Sequence, residues 1–179
     1  MFLPLIEKRR SIRQFAAKQV EPEKVDVLVE AALRAPSAGG RSPWEFVVVT
    51  EHALMDKLSN AKKAGATFLK NARLAMVVCA DPDKADTWIE DASIASIFIH
   101  LAAESIGLGS CWIQIRDRMH DDTRKAEEYV SDVLNIPRKL RVESIVAVGY
   151  PEEQKPPHKK EDLHYEKVYL NAYGKLYGR

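Results

Sequence analysis

The chain has 179 residues, 46% hydrophobic and 30% charged, with a formal net charge of +1. That length favours one domain, and the near-zero charge argues against bulk electrostatic binding of nucleic acid or membrane. Cys79 and Cys111 lie far apart without a Cys-x-x-Cys pattern, so no zinc site or redox dithiol is written locally. The opening residues carry no signal-peptide pattern, and a cytoplasmic protein is expected.

Pro4 suits a helix start, with Leu5 and Ile6 expected to turn inward. The helix runs into Arg9-Arg10-Ser11-Ile12-Arg13, three guanidiniums and a hydroxyl in five residues. Guanidinium forks match phosphate oxygens, so this is a candidate anion site, although from this stretch alone a solvated basic turn is the favoured reading. Glu21-Pro22-Glu23 opens a second helix. Its stripe is Val25, Leu28, Val29, Ala32 and Leu33, and Pro36 ends it near Arg34. The loop Pro36-Ser37-Ala38-Gly39-Gly40-Arg41-Ser42-Pro43 is built from small residues that let a ligand lie against backbone; a plain connection is the competing reading. Trp44 to Thr50 reads as a strand, His52 to Ser59 as a helix, and Leu74 to Ala80 as a strand covered on both faces. Phe68 and Leu69 are expected to pack on the core.

Trp88 to Ile106 forms the central helix, about 28 Å long at the usual rise. From Ala92 to Ala103 it holds no Asp, Glu, Lys or Arg. A helix apolar on almost every side must be buried on almost every side, yet it is too short in apolar residues to cross a membrane. A chain this short cannot surround it easily, and a homodimer supplies the missing cover. Gly107-Leu108-Gly109 stops the helix and Ser110 to Ile115 reads as a strand. Asp121-Asp122-Thr123 offers a capped helix start, with a buried stripe through Ala126, Tyr129, Val130, Val133 and Leu134. Val142 to Val148 is a further strand. Beyond Glu152 the chain turns basic and proline-rich, then aromatic: Tyr165, Tyr169, Tyr173 and Tyr177. A disordered tail is poor in such residues, so this one should dock, and a partner subunit is a plausible surface. Helices mixed with about four strands leave α/β and α+β both open.

P-loop, Gly-x-Gly-x-x-Gly, Gly-x-Ser-x-Gly and His-Glu-x-x-His patterns are all missing. Two basic clusters, a small-residue loop and an apolar strand suit a flat anionic cofactor better than acid–base hydrolysis.

Four segments in order resemble the nitroreductase family in its short form. They are Arg9 to Arg13; Ala35 to Gly39 running on to Pro43-Trp44-Glu45-Phe46; the Asp91 helix with Gly107-Leu108-Gly109-Ser110-Cys111-Trp112-Ile113; and Gly149-Tyr150-Pro151 with the basic tail and Tyr173-Gly174-Lys175. The resemblance covers nearly the whole chain. It implies an α+β three-layer fold, a mixed but mainly antiparallel sheet between helices. It also implies one domain over 1–179, whose tail from about 150 wraps a partner in a tail-swapped homodimer. FMN would lie at the interface and NADH or NADPH would be the electron donor. The implied reaction passes electrons to a nitroaromatic, quinone or related small acceptor by a ping-pong mechanism; an FMN-binding sensor or carrier is the alternative. By residue, Arg9, Arg10, Ser11 and Arg13 would hold the phosphate and pyrimidine side, with Lys159 or Lys160 completing the phosphate site. Pro36, Ser37, Ala38 and Gly39 would come from the other subunit. Trp112, Ile113 and Gln114 would back the isoalloxazine ring. No side chain is assigned as a catalytic acid or base, and no metal is expected. Gly40 and Ser42 stand where members often carry Asn and Gln, and Gln114 where Gly or Glu is usual.

Overall fold

The computed structural model describes residues 2–178. The element order is α1 (Phe2–Lys8), α2 (Pro22–Leu33), β1 (Trp44–Val49), α3 (His52–Ser59), β2 (Leu74–Ala80), α4 (Trp88–Ser105), β3 (Gly109–Gln114), α5 (Ala126–Leu134) and β4 (Arg141–Gly149). The four strands form one sheet in the order β1-β2-β4-β3, and every pairing within it is antiparallel. The parallel element is a single bridge, Ser11 to Ser110, at the β3 edge. The fold is α+β, with helices on both faces.

All seven residues of β2 are buried, as its unbroken apolar run requires of a central strand. Alternation sends Leu74, Met76, Val78 and Ala80 to one face, under α2 and α4. Ala75, Val77 and Cys79 go to the other, under α3, α5 and the 3-10 turn Thr67–Asn71. Burial pushes the Cys79 thiol up to about 12, with the Glu45 carboxylate adding to the effect.

The α4 helix covers the sheet with small residues. Ala92, Ala95, Ser96, Ile99 and Ala103 are buried, and Ser96 spends its hydroxyl on Ala92 O at 3.0 Å and Ser144 Oγ at 3.1 Å. The opposite side is less covered. Ile94, Phe98 and Leu101 are half-buried and Ile97 is 43% exposed. One chain therefore leaves the expected all-round burial unfinished.

Two expectations are corrected. Helix α1 buries no side chain in the single chain, and Ile6 is exposed rather than turned inward. Helix α5 begins at Ala126 and not at Asp121. Asp121 Oδ1 takes the N–H groups of Thr123 and Arg124, both at 2.7 Å, which closes a local turn instead of capping a helix. The last segment folds on itself through the Tyr169–Leu176 bridge and leaves Tyr173 90% exposed.

The chain's start is locked to β3 by a close fit. A Cβ built on Gly109 would lie 2.8 Å from Ile12 Cγ1 and 2.9 Å from its Cβ. Ile12 is buried and β-branched, so it has little room to give. Gly109→Ala is expected to lower the unfolding free energy by about 1–3 kcal/mol in urea titration. In an Ile12→Gly background most of that added cost should vanish, because Cβ, Cγ1 and Cγ2 of residue 12, the three crowding atoms, are all gone.

Candidate functional site

The segment from Arg9 onward runs alongside β3 and the chain that leaves β4. Ile12 N–H donates to Ser110 O at 2.9 Å, Ala16 N–H to Tyr150 O at 2.9 Å, and Glu152 N–H to Gln14 O at 2.9 Å. Glu153 Oε1 accepts the N–H groups of Arg13 at 2.5 Å and Gln14 at 3.2 Å. Lys155 Nζ donates to Ser11 O at 2.5 Å and pairs with Glu153 at 3.3 Å. Side chains alternate along such a strand-like segment, so Ile12 turns into the core and its neighbours turn away. Arg10 donates to Pro156 O and lines a crevice of about 390 Å³ shared with Lys8, Glu104 and Lys155.

The remaining cations gather over β3. Burial pushes the Cys111 thiol up, and the Arg13 charge, a Ser11 hydrogen bond and the Lys155 and Arg9 charges pull against it. Arg9, Ser11, Arg13 and Lys155 thus all bear on one point of the strand. The Arg13 guanidinium also lies 5.7 Å over the Phe68 ring. Three cations and a hydroxyl fit a phosphate dianion, and the flat edge strand beside them fits a ring.

Trp112 and Gln114 share the α4 side of β3. The Trp112 indole stacks near the His100 ring at 6.4 Å and donates from Nε1 to Gln114 Oε1 at 3.0 Å. Ile113 is fully buried on the opposite face. His100 Nδ1 meets Ser110 Oγ at 2.7 Å.

The small-residue loop is held elsewhere. Asp91, buried in the first turn of α4, accepts Ala38 N–H at 2.9 Å and the Thr87 hydroxyl at 3.1 Å. Ser37 Oγ accepts Ser42 N–H at 2.8 Å, while Gly39 and Gly40 take φ of 59° and 65°. Pro36, Ser37, Ala38 and Gly39 therefore belong to the N-terminal end of α4. The arginine segment belongs to its other end, where Lys8 pairs with Glu104 at 3.4 Å. The thirteen helical steps from Asp91 to Glu104 separate those anchors by roughly 20 Å of helix.

The structure thus brings Arg9, Ser11 and Arg13 to the start of β3 at Ser110 and Cys111 and Arg10 to the crevice at Gly107–Gly109, with Trp112, Ile113 and Gln114 further along the same strand, but keeps residues 36–39 apart from the arginines. Lys159 and Lys160 are exposed, at the start of a short 3-10 turn in the tail. Lys155 is the lysine that reaches the arginines. It belongs to the basic, proline-rich run flagged in the sequence, but only the backbone pairing shows which lysine points inward. His100 carried no sequence signal beyond its place in an uncharged helix.

The chain matches the model of the Nitroreductase family over residues 6–92 and 60–150. The chain belongs to the nitroreductase family. An FMN-dependent nitroreductase from Clostridium difficile R20291 is 47% identical with a TM-score of 0.94, covering 96% of this chain and 99% of that one. A protein of Archaeoglobus fulgidus, provisionally named an NADH dehydrogenase/NAD(P)H nitroreductase, is 38% identical over 89% of this chain and 91% of its own. An iodotyrosine deiodinase of Thermotoga neapolitana is 26% identical over 91% of this chain and 95% of its own. The nitroreductase family is thus accompanied by relatives named for different substrates.

Burial, helped by the Arg9 charge, pulls the His100 imidazole from 6.5 to about 4. The folded state resists a proton that the unfolded chain takes near 6.5. The stability from neutral His100 is therefore full above pH 6.5 and is lost as pH falls toward 4, by about 2–3 kcal/mol. Urea titrations at pH 7 and 4.5 should show that loss in the wild type, and a smaller one in His100→Asn.

Proposed function

We propose that this nitroreductase-family protein is an FMN-dependent oxidoreductase working as a homodimer, each 1–179 chain forming one flavin-binding domain. When bound, FMN supplies the redox chemistry, taking electrons from NADH or NADPH and giving them to a small nitroaromatic, quinone or related acceptor in a ping-pong cycle. The observation that carries the reading is the gathering of Arg9, Arg13 and Lys155 around Ser11 at the edge of β3. A phosphate dianion placed there meets guanidinium forks and an ammonium group in a partly desolvated setting. Arg10, Lys159 and Lys160 would add charge at the rim. The FMN-dependent relative from Clostridium difficile supports the same cofactor.

The 20 Å of helix between Asp91 and Glu104 supports a site made by two chains. Residues 36–39 cannot reach the arginines of their own chain around α4. A second copy laid on the bare stripe of α4 can deliver them. That stripe, through Ile94, Ile97, Phe98 and Leu101, is the apolar surface the single chain leaves open. The exposed Leu163, Leu170, Tyr173 and Tyr177 of the tail would be covered in the same assembly. Within each site the protein's own work is to orient: cations would fix the phosphate end, and β3 would back the ring through the backbone of Trp112, Ile113 and Gln114.

Arg9→Ala combined with Arg13→Ala is expected to weaken FMN binding by about a hundredfold or more, since each removes a charge-assisted contact worth about 1.5–3 kcal/mol. Fluorescence titration of the apoprotein with FMN reads this directly, and unchanged affinity refutes the site. A flavin-loaded wild type that stays oxidised under anaerobic NADH and NADPH would make it a sensor or carrier instead. Ile97→Glu should turn the dimer into monomers in sedimentation, because it buries a charge against an apolar surface. A dimer that survives this change places the interface elsewhere.

A further inference from the structure

Strand β4 contains an irregularity directly beside the stretch assigned to the ring. Its pairing with β2 passes from Ser144↔Val78 to Val142↔Cys79, so Glu143 faces no residue of β2. The Glu143 carbonyl takes two N–H groups from the end of β3, Ile115 at 3.1 Å and Arg116 at 3.0 Å. A bulge of this kind re-aims a side chain, and here the side chain is a carboxyl. Glu143 is 2% exposed, and its Oε2 is fully buried with no hydrogen-bond partner among the described residues.

Its surroundings do not neutralise it. The Arg116 guanidinium pairs with Asp117 at 2.8 Å and lies 5.9 Å from the Trp88 ring. What faces the carboxyl is the Ser144 hydroxyl and the Gln114 amide. Burial raises its pKa above the usual carboxylate range, and Ser144, the Arg116 charge and Gln114 only partly offset this. A charge without a partner there would cost several kcal/mol, so the carboxyl needs a donor. The Gln114 amide is close at hand, because Gln114 pairs with Ser144, the residue after Glu143. Its Oε1 accepts the Trp112 indole N–H at 3.0 Å and its Nε2 donates to Arg116 O at 3.0 Å, which leaves one N–H for a further acceptor.

We propose that Glu143 is a positioning residue: it holds the Gln114 amide, which holds the Trp112 indole, and so sets the surface that β3 offers to the cofactor ring. The inference rests on the flavin reading above, and its first readout does not need the flavin.

Glu143→Gln keeps the shape and one oxygen of the carboxyl, and Glu143→Leu removes both oxygens. In the apoprotein the Trp112 indole N–H resonance is identified by its loss in Trp112→Phe. Glu143→Leu should shift that resonance and speed its exchange with solvent about tenfold, the scale of one lost hydrogen bond. In the FMN-loaded protein the same variant should weaken FMN about tenfold and move the visible flavin spectrum. Glu143→Gln should restore both. Gln114→Ala keeps the bulge and should reproduce the indole change. The proposal is overturned by a folded Glu143→Leu protein with the wild-type indole resonance, by a Gln variant no better than Leu, or by an unmoved resonance in Gln114→Ala. A wild type that fails to bind FMN overturns the flavin reading, while the apoprotein resonance still decides the link from Glu143 to Trp112.

Discussion

The contact of α4 with the sheet fixes where everything else falls. Ala92, Ala95, Ser96 and Ala103 let the helix lie close against β2 and β4, and Ile99 fills the space between. Once the helix is pressed down, its two ends become the two addresses of the molecule. The N-terminal end carries the small-residue loop on Asp91; the C-terminal end turns at Gly107 and sends β3 back beneath the helix toward its start. The arginine segment then has one place to go, because Ile12 fits only over a residue without a side chain at 109.

That geometry also explains the electrostatics. Arg9, Arg13 and Lys155 come from two distant parts of the chain and share one stretch of strand, where Glu153 pairs with Lys155. Like charges repel, and in a partly buried setting the repulsion is weakly screened. Backbone pairing of residues 11–16 with 110 and 150–152 holds them together regardless.

Much of this was legible in the sequence, for physical reasons that differ by element. Strand β2 and helix α3 were read at their observed bounds, because an apolar run closed by Asp81-Pro82 and a short amphipathic helix have few alternatives. Helix α4 was read to within one residue, since its composition leaves it no other role. The start of α5 was misread because Asp and Thr serve a turn as readily as a cap, and only the direction of the Asp121 side chain separates them. The inward turn of Leu5 and Ile6 failed because amphipathic spacing does not say whether a cover exists in the same chain. Lys155 was hidden among Lys155, Lys159 and Lys160, where register decides. Glu143 was invisible, because a bulge has no signature in a strand buried on both faces.

The grip of Asp91 on Ala38 has a consequence for the homodimer proposed above. The loop is fastened to the same helix that carries the uncovered stripe, so in such a dimer docking and loop delivery would be one rigid-body event. Each pocket would then exist only while two chains stay joined. Retention of flavin would become a function of protein concentration: dilution past the dimer's dissociation constant would empty both pockets together, even with every side chain intact.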